Sequence, residues 1–334
     1  MYWSSPSASP VSLGLDSVLS LNDSGVAVGY AGGAAAEVSV SSPMGVVSLG
    51  VPSFFSMAVD INDGGQIVGM YEDQSGYEYG FFWSASSGMV PLGTLGGSGT
   101  IPTAINNAGQ IVGQSVDSSG DVFAFMWSQG AGISKIGDGG SVIATDINDL
   151  GEIAYEEDPF PYGNDSGAAG GPSSLSILNF GGRESYIAAI NDAGWIVGTL
   201  VGGQGFLWTP AGIVNFGASF APADINNEGE VLGSYQGRPA VWTASGGFQF
   251  LGLDGYTSGT ATHINDDGQI VGDGTPVPEP SALVLCLAGA LLMAAGWRRR
   301  AMVMATRLLR SRSPATLQGV PPEACHPAPP AQPR

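Results

Sequence analysis

A pattern of apolar and polar positions repeats along residues 21–272. A nine-residue block, in its commonest form apolar–Asn–x–x–Gly–x–apolar–x–Gly, occurs seven times. Most periods also contain an aromatic run that ends in Trp, as in V-F-A-F-M-W at 122–127. The asparagines of the blocks are 35 to 44 residues apart: Asn22, Asn62, Asn106, Asn148, Asn191, Asn226 and Asn265. A period of this kind indicates a repeat architecture.

Each period predicts four short strands: one before the Asn, one after the block's first Gly, one through the Trp and one following it. Apolar pieces of four to seven residues bounded by Gly, Asn and Asp are typical of strands. No segment before residue 281 has convincing helical periodicity. Four strands in about 40 residues is the length of a β-propeller blade.

The two ends of the array fit together. The last block, at 264–272, has no Trp strand after it, whereas Tyr2-Trp3 and V-S-L-G at 11–14 form a half-period without an Asn block. A half-blade at each end can join and close the ring, which removes both sheet edges. We therefore predict an all-β, seven-bladed β-propeller over residues 1–274. The rival is an open solenoid, which would need polar capping repeats.

The repeats are strongly acidic. Residues 1–280 hold 28 Asp and Glu against Lys135, Arg183 and Arg238, a net charge of −25. Such a body repels phosphate backbones, which excludes nucleic-acid binding through it. Cys286 and Cys325 both lie beyond the repeats. Cysteine-based zinc sites, disulfides and thiol catalysis are therefore excluded within them.

The Asn block is predicted first of all to form a tight turn between two strands. Asn and Asp cap their own turns, and Gly supplies the positive φ that a tight hairpin needs. Calcium binding is the alternative, but the block lacks the alternating Asp ladder and the terminal Glu of a calcium loop. We predict no metal site and no cofactor, with calcium as the open alternative.

One position of the repeat carries candidate catalytic groups. The residue before the apolar–Asn pair is Asp60, Asp146 or Asp224 in three blocks and His263 in a fourth. In a closed ring these positions are equivalent, and paired carboxylates are the groups that glycoside hydrolases use. The alternative is that they hydrogen-bond neighbouring turns. Because no nucleophile elbow, phosphate loop or metalloprotease helix occurs, we predict a non-enzymatic protein, with a secreted carbohydrate-active hydrolase as the alternative.

The fourth repeat contains an acidic, aromatic insertion after its second strand. Loops carry binding residues more often than strands do, so this insertion is the candidate binding loop. The alternative is a solvated insertion without a ligand. The residues of the loop are Glu156, Glu157, Asp158, Phe160 and Tyr162.

The C-terminus differs from the repeats. The motif Pro278-Glu279-Pro280 precedes 17 uncharged residues at 281–297, and Arg298-Arg299-Arg300 follow at once. Seventeen residues span about 25 Å as a helix, the short end of what crosses a bilayer. The arginines would hold that end in the cytoplasm. We predict a sorting segment at 275–300 with a transmembrane helix at 281–297, and a Pro-rich, disordered tail at 301–334.

The ordered trio of Pro-Glu-Pro, apolar helix and Arg cluster resembles the PEP-CTERM sorting signal. The repeats, through their aromatic-Trp strand and L-G-T-L-G-G at 81–97 and I-N-N-A-G-Q-I-V-G at 105–113, are similar to HAF-repeat extracellular proteins. The resemblance implies export, transient anchoring in the inner membrane, recognition by a membrane exosortase, and release to the cell surface or biofilm matrix. Extracellular polysaccharide is the implied partner. Because residues 1–20 carry no secretory signal, we expect the true start upstream.

Overall fold

The structure, a computed structural model, describes residues 1–43, 45–137, 142–157, 167–171, 174–177 and 185–277. These residues form 27 strands in seven antiparallel sheets, and the described part of the chain contains no helix. The strands belong to one compact unit, Met1–Val277. The all-β prediction is therefore confirmed for the repeats.

The strands follow one another in blade order. In the first half of the chain they are β1 (Tyr2–Trp3), β2 (Ser17–Leu21), β3 (Val26–Ala31), β4 (Ala34–Ser39), β5 (Val47–Ser48), β6 (Ser56–Ile61), β7 (Ile67–Glu72), β8 (Glu78–Ser84), β9 (Gly88–Pro91), β10 (Gly96–Ile105), β11 (Ile111–Asp117), β12 (Val122–Ser128) and β13 (Gly132–Lys135). In the second half they are β14 (Val142–Ile147), β15 (Ile153–Glu157), β16 (Gly167–Gly171), β17 (Ser174–Ile177), β18 (Ser185–Ile190), β19 (Ile196–Leu200), β20 (Gln204–Thr209), β21 (Gly212–Gly217), β22 (Phe220–Ile225), β23 (Val231–Tyr235), β24 (Arg238–Thr243), β25 (Gly247–Phe250), β26 (Tyr256–Ile264) and β27 (Ile270–Pro276).

Blades 1 to 6 are the four-stranded sheets β2–β5, β6–β9, β10–β13, β14–β17, β18–β21 and β22–β25. Blade 7 contains β26 and β27 from the C-terminal end of the array and β1 from the N-terminal end. In it, Tyr2 pairs with Val271 on one side and bridges Val11 on the other. The Trp3 side chain is fully buried, and its Nε1 donates to the carbonyl of Gly252 at 2.7 Å. The predicted closure by two half-blades and the count of seven blades are confirmed.

The first strand of each blade lies against the axis. These inner strands contact one another all the way round, including β26 against β2. Between successive blades lie seven apolar clusters, one at each interface. In the cluster between blades 2 and 3, the rings of Phe82 and Trp127 lie 5.3 Å apart. Burying one such ring contributes about 2–3 kcal/mol, so the blades are held together mainly by these clusters.

One core position shows how the repeats vary without losing packing. In blades 2, 3 and 5 a Gly on the second strand faces a Phe on the third, as Gly69 faces Phe81. A Cβ on Gly69 would meet that ring at 2.4 Å. In blade 4 the same position is Tyr155, which pairs with Ala168. The aromatic ring thus comes from the opposite strand of the pair. Tyr155 is fully buried, and burial raises the pKa of its hydroxyl.

Candidate functional site at the channel mouth

The seven block asparagines form a closed belt of hydrogen bonds around one end of the axis. Each Oδ1 accepts the backbone N–H of the residue four positions later, as Asn22 does from Val26, and so closes its own hairpin. Each Nδ2 donates to the backbone carbonyl of the Asn in the next blade at 2.9–3.1 Å, from Asn22 to Asn62 and finally from Asn265 to Asn22. All seven are buried. Each Asn side chain therefore stabilises both the turn of its own blade and the interface with the next blade.

A second ring surrounds the mouth. The backbone N–H of each residue in it donates to Oδ1 of its counterpart in the next blade at 2.7–3.0 Å. Asn107 also donates Nδ2 to Asp63 and Asp149, on either side of it. Five carboxylates are therefore held in one ring with two amides between them. The members are Asp23, Asp63, Asn107, Asp149, Asp192, Asn227 and Asp266.

The three predicted catalytic carboxylates line the cavity inside these rings. Asp60 accepts the N–H of Ile61 in its own blade and of Ile105 in the next, both at 2.9 Å. In the blades that donate this second N–H to Asp60 and Asp146, the equivalent repeat positions are occupied by Ala104 and Ala189. Each Asp thus joins two blades, which accounts for their occurrence in alternate repeats. The other two make the same bonds at 2.8 Å: Asp146 with Ile147 and Ile190, and Asp224 with Ile225 and Ile264.

His263 completes the inner group. Its Nδ1 lies 2.9 Å from Oδ2 of Asp224. Burial alone would lower the pKa of His263, but the charge and hydrogen bond of Asp224, with Asp60 and Asp146 nearby, raise it to about 9. Burial, reinforced by Asp224 and Asp60, raises the pKa of Asp146 to about 7. Burial also raises the pKa of Asp60, against the opposing effects of His263 and Ser20. At neutral pH these shifts favour the protonated imidazole of His263 and partial protonation of Asp146.

The cavity that the rings enclose is small and polar, with a volume of about 160 Å³. A carboxyl with a pKa near 7 is the type of group that transfers protons in catalysis. Here, however, both oxygens of each inner carboxylate already accept backbone N–H groups. Within the described residues, no group of three or more His, Cys, Asp or Glu is arranged to hold a metal ion.

Sequence reasoning identified the Asn blocks as turns and missed their role between blades. The same Asn occurs in all seven blocks although its neighbours vary. This pattern indicated a second structural role for its side chain, since Asp would serve an ordinary turn equally well. The pairing of His263 with Asp224 was also missed, although both residues stood at the same position of the repeat.

The other predicted sites lie largely beyond the described part. Glu156 and Glu157 belong to β15, whereas residues 158–166 and 278–300, with the rest of the candidate loop and the sorting residues, are outside the described residues. Two clefts of about 380 and 320 Å³ flank the hairpin after β7. Phe54, with 85% of its surface exposed, lines the first of them beside Tyr71 and Glu72.

Comparison with known sequences identifies the C-terminal segment. A model of the PEP-CTERM protein-sorting motif matches residues 276–300. No curated protein matches the chain. No helix among the described residues is long and apolar enough to cross a membrane, and the predicted helix at 281–297 falls outside them.

Similarity to a solved structure supports the fold. A puromycin hydrolase is similar with a TM-score of 0.50 and 14% identity, over 81% of this chain and 52% of that one. TolB from Acinetobacter baumannii is similar with a TM-score of 0.48 and 11% identity, over 78% of this chain and 63% of that one. The chain thus spans less than two thirds of either protein, and identities this low show likeness of fold alone. The chain is a seven-bladed β-propeller with a PEP-CTERM sorting motif, which implies export and recognition by an exosortase.

Proposed function

We propose that this protein is an exported repeat protein of the cell surface or biofilm matrix that acts as a non-catalytic binding or structural module. The observation that carries the proposal is the sorting motif at 276–300 joined to a closed propeller. In this proposal residues 281–297 form the transient transmembrane anchor, Pro278, Glu279 and Pro280 are the exosortase recognition site, and the repeats are of the HAF type.

The bonding of the repeated polar residues supports a non-catalytic role. Each block Asn uses its Oδ1 within its own blade and its Nδ2 toward the next, as Asn106 does with Gln110 and Asn148. Both oxygens of Asp60, Asp146 and Asp224 accept backbone N–H groups. The Asn of every blade and the Asp of alternate blades therefore have a structural explanation, and binding belongs to features that occur only once in the ring.

The charge of the body limits which polymers it binds. A net charge of −25 over residues 1–280 repels anionic chains, so the proposed partner is a neutral polysaccharide. Two surfaces are proposed to contact it: the loop from Glu156 to Tyr162, and the cleft with the exposed Phe54 ring beside Glu72. An aromatic face combined with a few polar groups is the usual composition of a small-ligand site.

The test is the localisation and C-terminal mass of the protein, expressed from its native gene in its own host. We expect recovery outside the cell with truncation near Pro280. Glu279→Ala and the triple change of Arg298, Arg299 and Arg300 to Ala should leave an unprocessed, cell-associated chain. Glu323→Ala, in the tail, is the matched control and should be processed normally. An intact wild-type chain in the cytoplasm would overturn the proposal.

A secreted carbohydrate-active hydrolase using Asp60, Asp146 and Asp224 is the second candidate. It is favoured by one observation, that these three carboxylates and His263 line the same small polar cavity, where burial raises the pKa of Asp146 to about 7. Hydrolysis of a neutral polysaccharide that Asp146→Asn abolishes, with the melting temperature unchanged and with Asp149→Asn fully active, would support this candidate against the first.

A further inference from the structure

The outermost strands of the described blades carry no acidic residues, which lie instead on the turns and on the inner and middle strands. Some of these residues surround the channel mouth, and others follow β7 and β11, where Asp73, Asp117 and Asp121 lie in the hairpins. The outermost strands β5, β9, β13, β17, β21 and β25 contain no Asp or Glu, and Lys135 is their one charged residue. Two copies of so acidic a body repel each other most when their faces meet and least when their rims meet.

Most of the described rim strands carry a feature that discourages pairing with another chain. Strand β5 has only two residues, and β9 ends at Pro91. Strand β13 carries Lys135, whose Nζ lies 3.2 Å from the centre of the Phe123 ring. Beside β25, the guanidinium of Arg238 covers the ring of Phe250 at 4.6 Å. Short strands, prolines and basic side chains are the usual means of protecting a sheet edge.

Strand β21 has none of these features. Its sequence, G-I-V-N-F-G, is six residues long without charge or proline. It is the last strand of its sheet, paired with β20. Ile213 and Val214 are 47% and 39% exposed, although both are β-branched and apolar. A bulge at Phe216 turns that ring into the cluster between blades 5 and 6, so the regular edge runs from Gly212 to Asn215.

We propose that β21 is a self-association edge, which pairs antiparallel with β21 of a second copy across a two-fold axis. The pairing joins two copies of blade 5 into one continuous sheet and buries Ile213 and Val214 against their counterparts. Such an isologous contact is self-complementary and closes at two copies. The edge is short, so the dimer is weak, and salt strengthens it by screening the repulsion between the acidic bodies. The inference does not depend on export or on a polysaccharide ligand.

The first test is sedimentation velocity of the full chain over a range of concentrations, at low and moderate salt. We expect a reversible monomer–dimer equilibrium. The double variant Ile213→Lys, Val214→Lys should weaken the association constant by about tenfold or more, since a lysine would face its own copy. Gln249→Lys, an exposed rim position on β25, is the matched control and should dimerise like the wild type. Equal melting temperatures would show that all three chains are folded.

The second test locates the contact. Residues directly opposite in an antiparallel pair have Cα atoms about 4.5–5.5 Å apart, within disulfide range. Ile213→Cys and Val214→Cys, oxidised separately and as an equimolar mixture, should give a dimer whose linked peptides both contain β21. A monomer at every concentration would overturn the inference. So would a dimer that the lysines leave unchanged, as association through Cys286 or the apolar segment at 281–297 would produce.

Discussion

The inner ring and the rim of this propeller are built from the same repeats and have opposite characters. At the axis, every blade presents the same Asn with the same two kinds of hydrogen bond, although the intervening residues differ. At the rim, strands range from two to six residues, and each described edge is finished in its own way. The inner ring repeats because closing a circle imposes one geometry on every blade. The rim varies because no neighbouring blade constrains it.

The contrast indicates where function can reside. A residue that recurs at every axial position satisfies the ring and has little freedom to serve a ligand. Features present once, such as the exposed Phe54, the insertion at 156–162 or the open edge of β21, are not explained by closure. The three inner aspartates are intermediate, since they recur in alternate blades and also define the charge of the channel.

The largest effect is expected from breaking the Asn belt. Asn106→Ala removes the acceptor for the N–H of Gln110 and the donor to the carbonyl of Asn148. The N–H of Gln110 then lacks its acceptor, and the carbonyl of Asn148 keeps only its bond from the N–H of Gly151. These two losses should lower the free energy of unfolding by about 2–4 kcal/mol. Asn215→Ala, on the exposed rim, should change it by less than about 0.5 kcal/mol. Urea denaturation measures the unfolding free energy of both variants. Equal losses of stability would contradict the view that the inner ring constrains its residues more than the rim does.

The channel carboxyls should give the ring a pH dependence that the rim lacks. The pKa of Asp146, about 7, lies above its unfolded value of 3.8, so the folded state binds a proton first as the pH falls from 7 toward 4. Protonation of Asp146 therefore raises the stability of the folded protein as the pH falls over this range. The pKa of His263, about 9, lies above 6.5, so its contribution is complete below pH 6.5 and is lost as the pH rises through 9.

Both groups predict a melting temperature that falls between about pH 5 and pH 9. Asp146→Asn should flatten the part of the profile below pH 7, and His263→Gln the part above it. Gln249→Lys on the rim should preserve its shape. A melting temperature that rises over this range in the wild type would contradict both assignments.

A smaller effect is expected at Tyr155, whose ring fills the core position that the Phe of the third strand fills in blades 2, 3 and 5. Its hydroxyl is buried and has no hydrogen-bond partner in the part of the chain that the structure describes. Tyr155→Phe keeps the ring and removes the unsatisfied group, so the protein should be unchanged or stabilised by up to about 1 kcal/mol. Tyr155→Leu is the contrasting variant and should cost about 1–2 kcal/mol, because the smaller side chain leaves part of the space of the ring empty. Thermal and urea unfolding distinguish the two.

The smallest effect is expected at the rim cation. Lys135→Ala removes the contact of the ammonium with the Phe123 ring on an exposed surface, and should reduce stability by about 0.5–1 kcal/mol. Lys135→Arg should retain most of the stability because the guanidinium also stacks on rings. A loss of stability as large as that of Asn106→Ala would mean that the rim contributes more to the free energy of unfolding than its exposure indicates.

The sequence by itself determined the strands, the period, the seven blades and the joining of two half-blades. These depend on local chemistry: alternation of apolar residues, Asn and Gly in turns, and contacts that reach only from residue i to i+4. The sorting segment was equally local. The strands, the turns and the sorting segment are each contained in a short window of residues, and the blade count and the joining of the two ends follow from the repetition of that window along the chain.

The tertiary structure decided which groups meet across blades. The second bond of each Asn, the bridging by Asp60 to Ile105, and the pairing of His263 with Asp224 join residues 35 to 45 positions apart, and the belt closes over 243. Such contacts depend on the radius and tilt of the ring, which packing of all seven interfaces sets together. No single repeat encodes them, because each blade supplies only half of every bond.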